Sequence, residues 1–373
     1  MGGWLLRVGY DKRSYPVQRN ILSAATEFVA FVRVKNLFRY PNYALFRVFN
    51  YVDPLLDNVH WSRSGVIDLL QLFNSVSLGK TPWVSTYETS IPRWHWPDLN
   101  RGKGEFALRR MAAPACKRLI AMSASADRIQ RHFLSEQPAY RDEITPKLTI
   151  LHPPQRLIST AITKPLVDGA FLQGAIVGSQ FFCKGGLEVL RSVRDLLNQG
   201  APLKLIIVSD LDSSDYLTHT TEDQVTEALK IIEKHGRNIV RFSKLPNSEV
   251  LQIFCQSHFA LLPSCGDSYG YSLLEAQACG CPVVTTNVRA LSEINNDVCG
   301  WICEMPLNEF GAAILKNNSD RMRFSEELEA RIRSAMFEIL ESPGLLARKA
   351  GAAVERIARD HDPARFAAAL RRI

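Results

Sequence analysis

The second half of the chain alternates apolar segments with amphipathic ones. Residues 170–177 and 203–209 (LKLIIVS) are nearly continuous apolar runs, as expected of buried parallel strands. Between them, residues 185–199 place Leu187, Leu190 and Val193 on one face of a predicted helix. We predict further strands at 239–242, 259–263 and 282–286, and further helices at 221–235, 247–256 and 272–279. The helix at 247–256 is predicted to be capped by Asn247 or Ser248. This alternation predicts an α/β fold with a parallel sheet covered on both faces.

The first half has the same alternation with less distinct boundaries. Residues 155–169 have no clear periodicity, and we predict that they form a linker between two domains. The domains are then residues 1–160 and 161–361, followed by a short amphipathic helix over 362–373. The elements predicted in the first half are strands at 4–9, 83–87, 118–123 and 148–151, a buried segment at 66–73 and a helix at 126–134.

Charge is unevenly distributed along the 373 residues. Residues 1–165 contain 23 Lys and Arg against 12 Asp and Glu, a net +11; the remainder contains 22 against 26, a net −4. A basic first half favours a phosphate-bearing acceptor or an anionic membrane surface, although a basic surface without a partner fits equally well. No nucleic-acid-binding motif accompanies the charge, so we do not expect a nucleic acid partner.

Compartment and metal content are also predicted from the sequence. The first 20 residues do not resemble a signal peptide, and no uncharged stretch reaches the roughly 18–20 residues that span a bilayer. We therefore expect a cytoplasmic protein, with peripheral contact at the inner face of the membrane as an option. The eight cysteines show no C-x-x-C spacing, so we predict buried thiols and no metal site.

Candidate chemistry is concentrated in residues 260–293, where a loop joins a predicted strand to a predicted helix. Gly270 allows the backbone to approach a ligand, and the amides from Tyr271 to Leu273 at the helix start favour an anion. Asp267 and Glu275 flank this position and are suited to bind sugar or ribose hydroxyls. Together they predict a pocket for a sugar nucleotide, although a strand–loop–helix with solvated acids would have the same pattern.

A second candidate lies in VGSQFFCKGGLEVL, where Gly178 ends a predicted strand and Lys184 precedes a predicted helix. A lysine at a helix start is destabilised by the partial positive charge at that end of the helix. Its presence there therefore favours a functional role, in which it binds a diphosphate. The G-x-x-x-x-G-K-[ST] pattern is absent, so ATP hydrolysis is not predicted.

The order and spacing of these motifs are similar to those of a known protein family. An acidic residue, seven others and a Glu, here Asp267 to Glu275, precede AQACGCPVV and the later Ser292-Glu293-Ile294. With the preceding VRFSKLPNSEVLQIFCQSHFALLPS, this stretch resembles the second domain of the retaining glycosyltransferases of family four (glycosyl transferases group 1). RLIAMSASADRIQRHFL followed by LTILHPP is similar, more weakly, to the end of the family's first domain.

The resemblance implies the GT-B fold, in which two Rossmann-like doubly wound domains face across a cleft and the C-terminal helix returns to the first domain. It implies that Glu275 binds the ribose, that Asp267 holds the transferring sugar, and that Lys184 and the backbone of Gly270–Leu273 hold the diphosphate. The other substrate-binding residues that we predict on this basis are Gly178, Ser179, Tyr269, Tyr271, Ser272, Leu273, Glu293 and Tyr87.

The sequence also departs from the family pattern. Asp267 replaces the usual Glu, and Ser179-Gln180 stand where the family commonly has an Arg on the diphosphate. Tyr87-Glu88 stand where the family often has a His-Asp pair, and the sugar contact of Tyr87 is assigned from that position. These changes leave the donor sugar open.

The resemblance implies transfer of a sugar from a nucleotide-diphosphate sugar to a glycan or lipid-linked acceptor, with retention, in surface polysaccharide or glycoconjugate biosynthesis. A transfer of this kind requires no cofactor and no bound metal. The D-x-D at Asp210 and Asp212 is therefore not expected to bind a metal ion. Three alternatives stay open: a GT-B epimerase or phosphorylase, a weak or inactive GT-B protein that binds glycan or nucleotide, and a dinucleotide-dependent oxidoreductase. The last ranks lowest because no G-x-G-x-x-G follows the first strand.

Overall fold

The computed structural model describes residues 5–11, 14–62, 66–93, 101–214 and 217–373. The chain divides into two compact units, Met1–Gln155 with His361–Ile373 and Arg156–Asp360. The first division lies five residues before the end of the predicted first domain.

The first unit is built on a parallel sheet. Its strands are β1 (Leu6–Tyr10), β2 (Val29–Arg33), β3 (Val59–His60), β4 (Leu69–Phe73), β5 (Val76–Ser77), β6 (Trp83–Tyr87), β7 (Cys116–Ala121) and β8 (Leu148–Ile150). Six of them form the sheet in the order β2-β1-β4-β6-β7-β8, and β3 pairs with β5 separately. All these pairings are parallel, so the carboxyl ends of the six strands share one edge. Polar residues that follow the strands are thereby brought together.

Helices connect these strands in alternation, as the sequence pattern predicts. They are α1 (Tyr15–Asn20), α2 (Arg39–Phe49), α3 (Pro54–Asn58), α4 (Arg101–Ala112), α5 (Ala124–Ser135) and α6 (Pro138–Ile144). The buried segment predicted at 66–73 is β4, and the helix predicted at 126–134 is α5 with two further residues at its start and one at its end. Ser123 caps α5 by accepting a hydrogen bond from the Ala126 N–H.

The second unit has the same architecture. Its strands are β9 (Leu172–Val177), β10 (Leu203–Val208), β11 (Ile239–Phe242), β12 (Phe259–Leu262), β13 (Val283–Thr286) and β14 (Gly300–Cys303). They form a parallel sheet in the order β11-β10-β9-β12-β13-β14. The order reverses direction between β9 and β12, which makes their carboxyl ends the expected ligand-binding edge of this unit.

The helices of the second unit cover this sheet. They are α7 (Gly186–Asn198), α8 (Glu222–Lys234), α9 (Asn247–Gln256), α10 (Tyr271–Ala278), α11 (Leu291–Ile294), α12 (Asn318–Glu341) and α13 (Pro343–Asp360). The predicted apolar face of α7 is confirmed, because Leu187, Leu190 and Val193 are buried in the core of this unit. None of the helices in the described residues is both long and apolar enough to span a membrane.

The predicted linker has no regular secondary structure, and one predicted helix cap is wrong. The segment 155–169 has no helix or strand, and it begins at the division between the units. The N–H groups of Ile158 and Ser159 both donate to the Ala278 carbonyl at the end of α10, so this part of it packs on the second unit. Helix α9 is not capped by Asn247 or Ser248, because its capping residue is Pro246, without a side-chain hydrogen bond.

The last helix, α14 (Pro363–Arg371), belongs to the first unit. Asp362 caps it by accepting from the Ala364 N–H. Phe366 and Leu370 pack in a core cluster with Val8 and Ile120 of the first-unit sheet. This apolar face therefore closes one side of that sheet.

Candidate functional site

A lysine–aspartate pair lies at the carboxyl edge of the second-unit sheet. Because β9 and β12 are adjacent and parallel, the residues that follow them meet at this edge. The Lys184 Nζ donates a hydrogen bond of 2.8 Å to the Asp267 Oδ2. Both side chains are largely buried, with 17% and 13% of their surfaces exposed. The Asp267 Oδ1 accepts from the Tyr269 N–H at 3.1 Å.

Two glycines make this arrangement possible. A Cβ on Gly178 would lie 2.6 Å from Cε and 2.8 Å from Cδ of Lys184, so the lysine chain passes directly over Gly178. Gly185 has φ of +72°, and a Cβ there would lie 2.4 Å from the Pro263 carbonyl oxygen. The backbone next to Lys184 therefore approaches the end of β12 as closely as only glycine allows.

The pair is held in its charged form. Burial alone would lower the pKa of Lys184, but the charge and hydrogen bond of Asp267 outweigh burial and raise it. Burial alone would raise the pKa of Asp267, yet Lys184 and the amides of Tyr269 and Gly270 lower it. The edge therefore carries a fixed ammonium and a fixed carboxylate.

Helix α10 begins beside this pair. Gly270 is its capping residue, with φ of +90° and no side-chain cap. Two of the amides predicted to bind a diphosphate have partners within the protein. The Gly270 N–H bonds to Asp267, and the Leu273 N–H donates to the Gly270 carbonyl at 3.1 Å. Ser272, partly exposed at the second helical position, is placed where the helix dipole favours an anion.

Glu275 is 2% exposed, and its Oε1 accepts a 2.8 Å hydrogen bond from Asn247 Nδ2. Sequence reasoning missed this role for Asn247. The local sequence holds no signal for it, because an Asn at the start of a predicted helix has the same pattern as a helix cap.

The remaining second-unit candidates differ in exposure. Tyr269 is fully buried, and its ring lies 5.8 Å from that of Tyr271, which is half-buried. Burial raises the pKa of Tyr269, and the nearby charge of Glu293 contributes to the shift. Ser179 is exposed, whereas the Leu273 side chain is in the core.

Tyr87 belongs to the first unit. Its side chain is completely buried in the core of that unit, and its hydroxyl has no hydrogen-bond partner among the described residues. Burial and the Asp127 carboxylate raise its pKa, against the effect of Arg131. This burial argues against the predicted contact between Tyr87 and a sugar.

A polar cavity of about 420 Å³ lies at the carboxyl edge of the first-unit sheet instead. Gln71 of β4 is completely buried there, and its Oε1 has no hydrogen-bond partner among the described residues. Sequence reasoning missed this site, although a Gln inside the apolar strand LLQLF is its signal. The other polar residues lining the cavity are Asp11, Ser14, Asn36, Arg39, Asn42, Asp57, Asn58, Asn74, Ser75 and Arg93.

Two ion pairs neutralise the arginines around this cavity. Arg39 lies 3.1 Å from Asp11, and Arg93 lies 2.6 Å from Glu88. The cavity therefore offers amide and hydroxyl groups with balanced charge, which are suited to a neutral polyhydroxyl ligand.

Asp210 and Asp212 form a local turn. The Asp210 carboxylate accepts from the Asp212 N–H, and the Asp212 carboxylate accepts from the N–H and hydroxyl of Ser214. Over the ranges that the structure describes, no group of three or more His, Cys, Asp or Glu residues is arranged to bind a metal ion.

Residues 175–320 match the family model for glycosyl transferases group 1. An uncharacterized 41.2 kDa protein from the cps region of Klebsiella pneumoniae is 32% identical over 99 residues, covering 26% of this chain and 27% of that protein. The capsular polysaccharide biosynthesis glycosyltransferase CapM of Staphylococcus aureus is 25% identical over 122 residues, covering 32% and 30%. These matches therefore span about a quarter to a third of the relatives' length.

Solved structures match over almost the whole chain. A glycosyltransferase of Rickettsia africae has a TM-score of 0.58 at 13% identity, covering 98% of this chain and 97% of its own. The Anabaena protein Alr3699/HepE, solved in complex with UDP, has a TM-score of 0.58 at 12% identity, covering 99% of both chains. The predicted GT-B fold, with two Rossmann-like domains, is thereby confirmed.

Proposed function

We propose that this protein is a metal-independent, retaining glycosyltransferase of the group 1 type, which transfers a sugar from a nucleotide-diphosphate sugar to a glycan or lipid-linked acceptor. The observation that carries the proposal is the buried Lys184–Asp267 pair beside the start of α10. The match of residues 175–320 to the group 1 model covers this site. CapM acts in capsular polysaccharide biosynthesis, which supports a role in surface polysaccharide assembly.

In this proposal Lys184 binds the donor diphosphate. A lysine ammonium has three donors, and Asp267 uses one of them, so the others are available to phosphate oxygens. The first turn of α10 adds its dipole on the same side. Both stabilise the negative charge that grows on the leaving diphosphate, which is a major electrostatic contribution to this kind of transfer.

Asp267 has two roles in the proposal. It holds the Lys184 ammonium in place, and the one acceptor site that Lys184 and the amides of Tyr269 and Gly270 leave on its carboxylate accepts a hydrogen bond from the transferring sugar. Glu275, held by Asn247, binds the ribose hydroxyls. Neither carboxylate acts as a nucleophile.

The bonds and the proton of this transfer are then accounted for without a further catalytic group. The bond from the anomeric carbon to the diphosphate oxygen breaks, and a bond from that carbon to the acceptor oxygen forms on the same face. The acceptor proton passes to the departing diphosphate. The acceptor sugar lies in the polar first-unit cavity, where Gln71 presents an unpaired amide oxygen.

A thermal-shift panel of nucleoside diphosphates and nucleotide sugars tests the donor site. We expect at least one of them to raise the unfolding temperature, and the shift to be lost in Glu275→Gln but kept in Asp210→Asn. The proposal fails if Glu275→Gln keeps the full shift. The anomeric proton coupling of the product, measured by NMR, tests retention, and activity after treatment with EDTA tests metal independence.

A further inference from the structure

Two cysteine side chains meet in the loops that carry the Lys184–Asp267 pair. Cys183 directly precedes Lys184, and Cys265 lies two positions before Asp267. Their sulfur atoms are 3.7 Å apart, although 82 positions separate the two residues along the chain. Both residues are buried, with 2% and 6% of their surfaces exposed. The proposed transfer chemistry gives neither thiol a role.

Hydrogen bonds hold the two loops together at these cysteines. The Cys265 N–H donates to the Cys183 carbonyl at 2.9 Å, and the Ser264 hydroxyl donates to the same carbonyl at 3.1 Å. The Cys265 thiol also donates to it at 3.2 Å, and the Cys183 thiol donates to the Gly266 carbonyl at 3.4 Å. A backbone hydrogen bond between two cysteines keeps their Cα atoms within the range of roughly 4.4–6.8 Å that a disulfide requires. Bond formation then requires the two sulfurs to approach by roughly 1.7 Å.

A cavity of the second unit reaches one of the two cysteines. It has a volume of about 260 Å³, and residues of α7 and α12 form much of its wall. Among the described residues that line it are Cys265, Phe182 and Gly185, but not Cys183. The cavity is several times larger than the roughly 30 Å³ that one water molecule occupies in the liquid, so a small oxidant such as hydrogen peroxide fits in it. Cys265 is therefore the thiol that such an oxidant meets first.

The charge of Lys184 favours reaction at this pair. The thiolate is the form of cysteine that attacks an oxidant. Burial raises the pKa of Cys281 and of Cys303 to about 12, so these thiols stay protonated near neutral pH. The sulfurs of Cys183 and Cys265 interact with the Lys184 ammonium, which attracts the negative charge of a thiolate.

We propose that Cys183 and Cys265 form a site of oxidative modification, at which a peroxide joins the two thiols in a disulfide and thereby disturbs the Lys184–Asp267 pair. The Cys265 sulfur attacks one peroxide oxygen, the O–O bond breaks, and a sulfenic acid and one water are formed. The Cys183 sulfur then attacks the Cys265 sulfur, the S–O bond breaks, and the second water leaves with the remaining thiol proton. The two thiols lose two electrons, which one peroxide molecule accepts. A thiol reductant reverses the modification by thiol–disulfide exchange.

The disulfide acts on the site because the surrounding loops have little room. A Cβ on Gly266 would overlap Cδ1 of Leu217 and would lie 3.4 Å from the Cys183 sulfur. An approach of the sulfurs by roughly 1.7 Å is therefore transmitted to the adjoining backbone, which carries Lys184 and Asp267. A misplacement of about 1 Å in a site of this kind costs about a hundredfold in rate. In combination with the proposed function, which this step assumes, oxidation weakens donor binding.

Peptide mapping and nucleotide binding test the proposal on the same samples of the full chain. The folded protein is treated with hydrogen peroxide, its remaining thiols are alkylated, and it is digested for mass spectrometry. We expect a cross-linked peptide pair that contains Cys183 and Cys265. Affinity for the nucleoside diphosphate with the largest thermal shift should fall about tenfold or more, and dithiothreitol should restore it. Cys265→Ser, which keeps a hydrogen-bond donor of similar size, should keep its affinity in peroxide.

Cys279→Ser is the matched control. The Cys279 thiol at the end of α10 is hydrogen-bonded to Cys255, so this variant removes the other close pair of thiols and should lose affinity in peroxide as wild type does. The proposal is overturned if Cys265→Ser loses as much affinity as wild type, or if the cross-link forms without a loss of affinity. It is also overturned if both Cys183 and Cys265 of peroxide-treated wild type remain free for alkylation, a result that depends on no variant.

The two measurements separate this proposal from the proposed function, because the cross-link is detected without nucleotide. Glu275→Gln should lose the nucleotide-induced thermal shift and still form the cross-link. A reduced wild type that shows no nucleotide shift but forms the cross-link would refute the transferase and leave the modification site standing. A nucleotide shift in the reduced protein without a cross-link after peroxide would refute the modification site alone.

Discussion

The Asn247 side-chain amide lies 2.8 Å from the Glu275 carboxylate, although 28 positions separate the two residues along the chain. Asn247 opens α9 and Glu275 lies on α10, and these two helices are packed together. The Glu275 side chain is almost fully buried, so this hydrogen bond fixes the direction in which its carboxyl group points. Asn247 is therefore a positioning residue for the proposed ribose contact.

Replacement of Asn247 tests this relationship. Asn247→Ala removes one donor from a buried carboxylate, and we expect donor binding to weaken by about 1 kcal/mol, or about fivefold. Asn247→Asp should weaken it further, because it places a second negative charge beside Glu275. Nucleotide affinity is measured by calorimetry, with Ser248→Ala, the next position on the exposed side of α9, as the control. Equal affinity in wild type and Asn247→Asp would refute the role.

The Lys184–Asp267 pair predicts a characteristic dependence of stability on pH. The pKa of Asp267 is lowered by its partner, so its contribution is present above about pH 4, the unfolded value, and is lost as pH falls through the folded pKa. The pKa of Lys184 is raised, so its contribution is present below about pH 10 and is lost as pH rises through the folded pKa. Between about pH 5 and pH 9, the free energy of unfolding of the wild type should exceed that of the double variant Lys184→Met/Asp267→Asn by a constant amount.

The single variant Lys184→Met gives the sharper test. It leaves Asp267 buried without its partner, so burial should raise the Asp267 pKa and cost about 3 kcal/mol near neutral pH. Since a raised carboxyl pKa stabilises the protein only at low pH, the stability of this variant should fall as pH rises from about 4 to 7. Urea unfolding at a series of pH values measures both slopes. Parallel curves for wild type and Lys184→Met would contradict the pairing.

Much of the second unit could be predicted from the sequence, because buried parallel strands such as β10 (LKLIIV) have an unmistakable apolar pattern. The motif also located Lys184 and Asp267 at one edge. Their direct hydrogen bond could not be predicted, because it depends on a lysine chain that crosses Gly178 rather than on spacing. Asn247 was interpreted as a cap, since local sequence cannot show that its amide reaches a helix 28 positions away.

The first unit was harder to predict. Tyr87 was placed in the site by its match to the family's His-Asp position, but whether a side chain at the end of a strand points to the ligand edge or into the core depends on tertiary packing. Gln71 shows the converse: a Gln within the apolar strand β4 is a sequence signal, but the cavity that it lines is formed by residues from several separate segments and is seen only in the structure.

Gly178 offers a test of the lysine position with a matched control. Gly178→Ala places a Cβ 2.6 Å from the Lys184 Cε, at φ of +148°, so the lysine chain must move. We expect at least a tenfold loss of nucleotide affinity together with a stability loss of about 1–2 kcal/mol from the backbone strain. Gly200→Ala has φ of +82° and no atom within 4 Å of the new Cβ, so it should show similar strain without loss of affinity. Equal affinity in the two variants would contradict the close approach.

Tyr87→Phe decides whether this side chain belongs to the core or to the substrate site. Its hydroxyl is buried and has no hydrogen-bond partner in the described part of the chain, so removal relieves an unsatisfied polar group. We expect the free energy of unfolding to stay equal or to rise by about 1 kcal/mol, and transfer activity to stay unchanged. Tyr87→Leu, which also removes ring volume from the core, should instead cost about 2–3 kcal/mol. A loss of activity in Tyr87→Phe without a change in stability would restore the sugar contact and place this hydroxyl in the acceptor site.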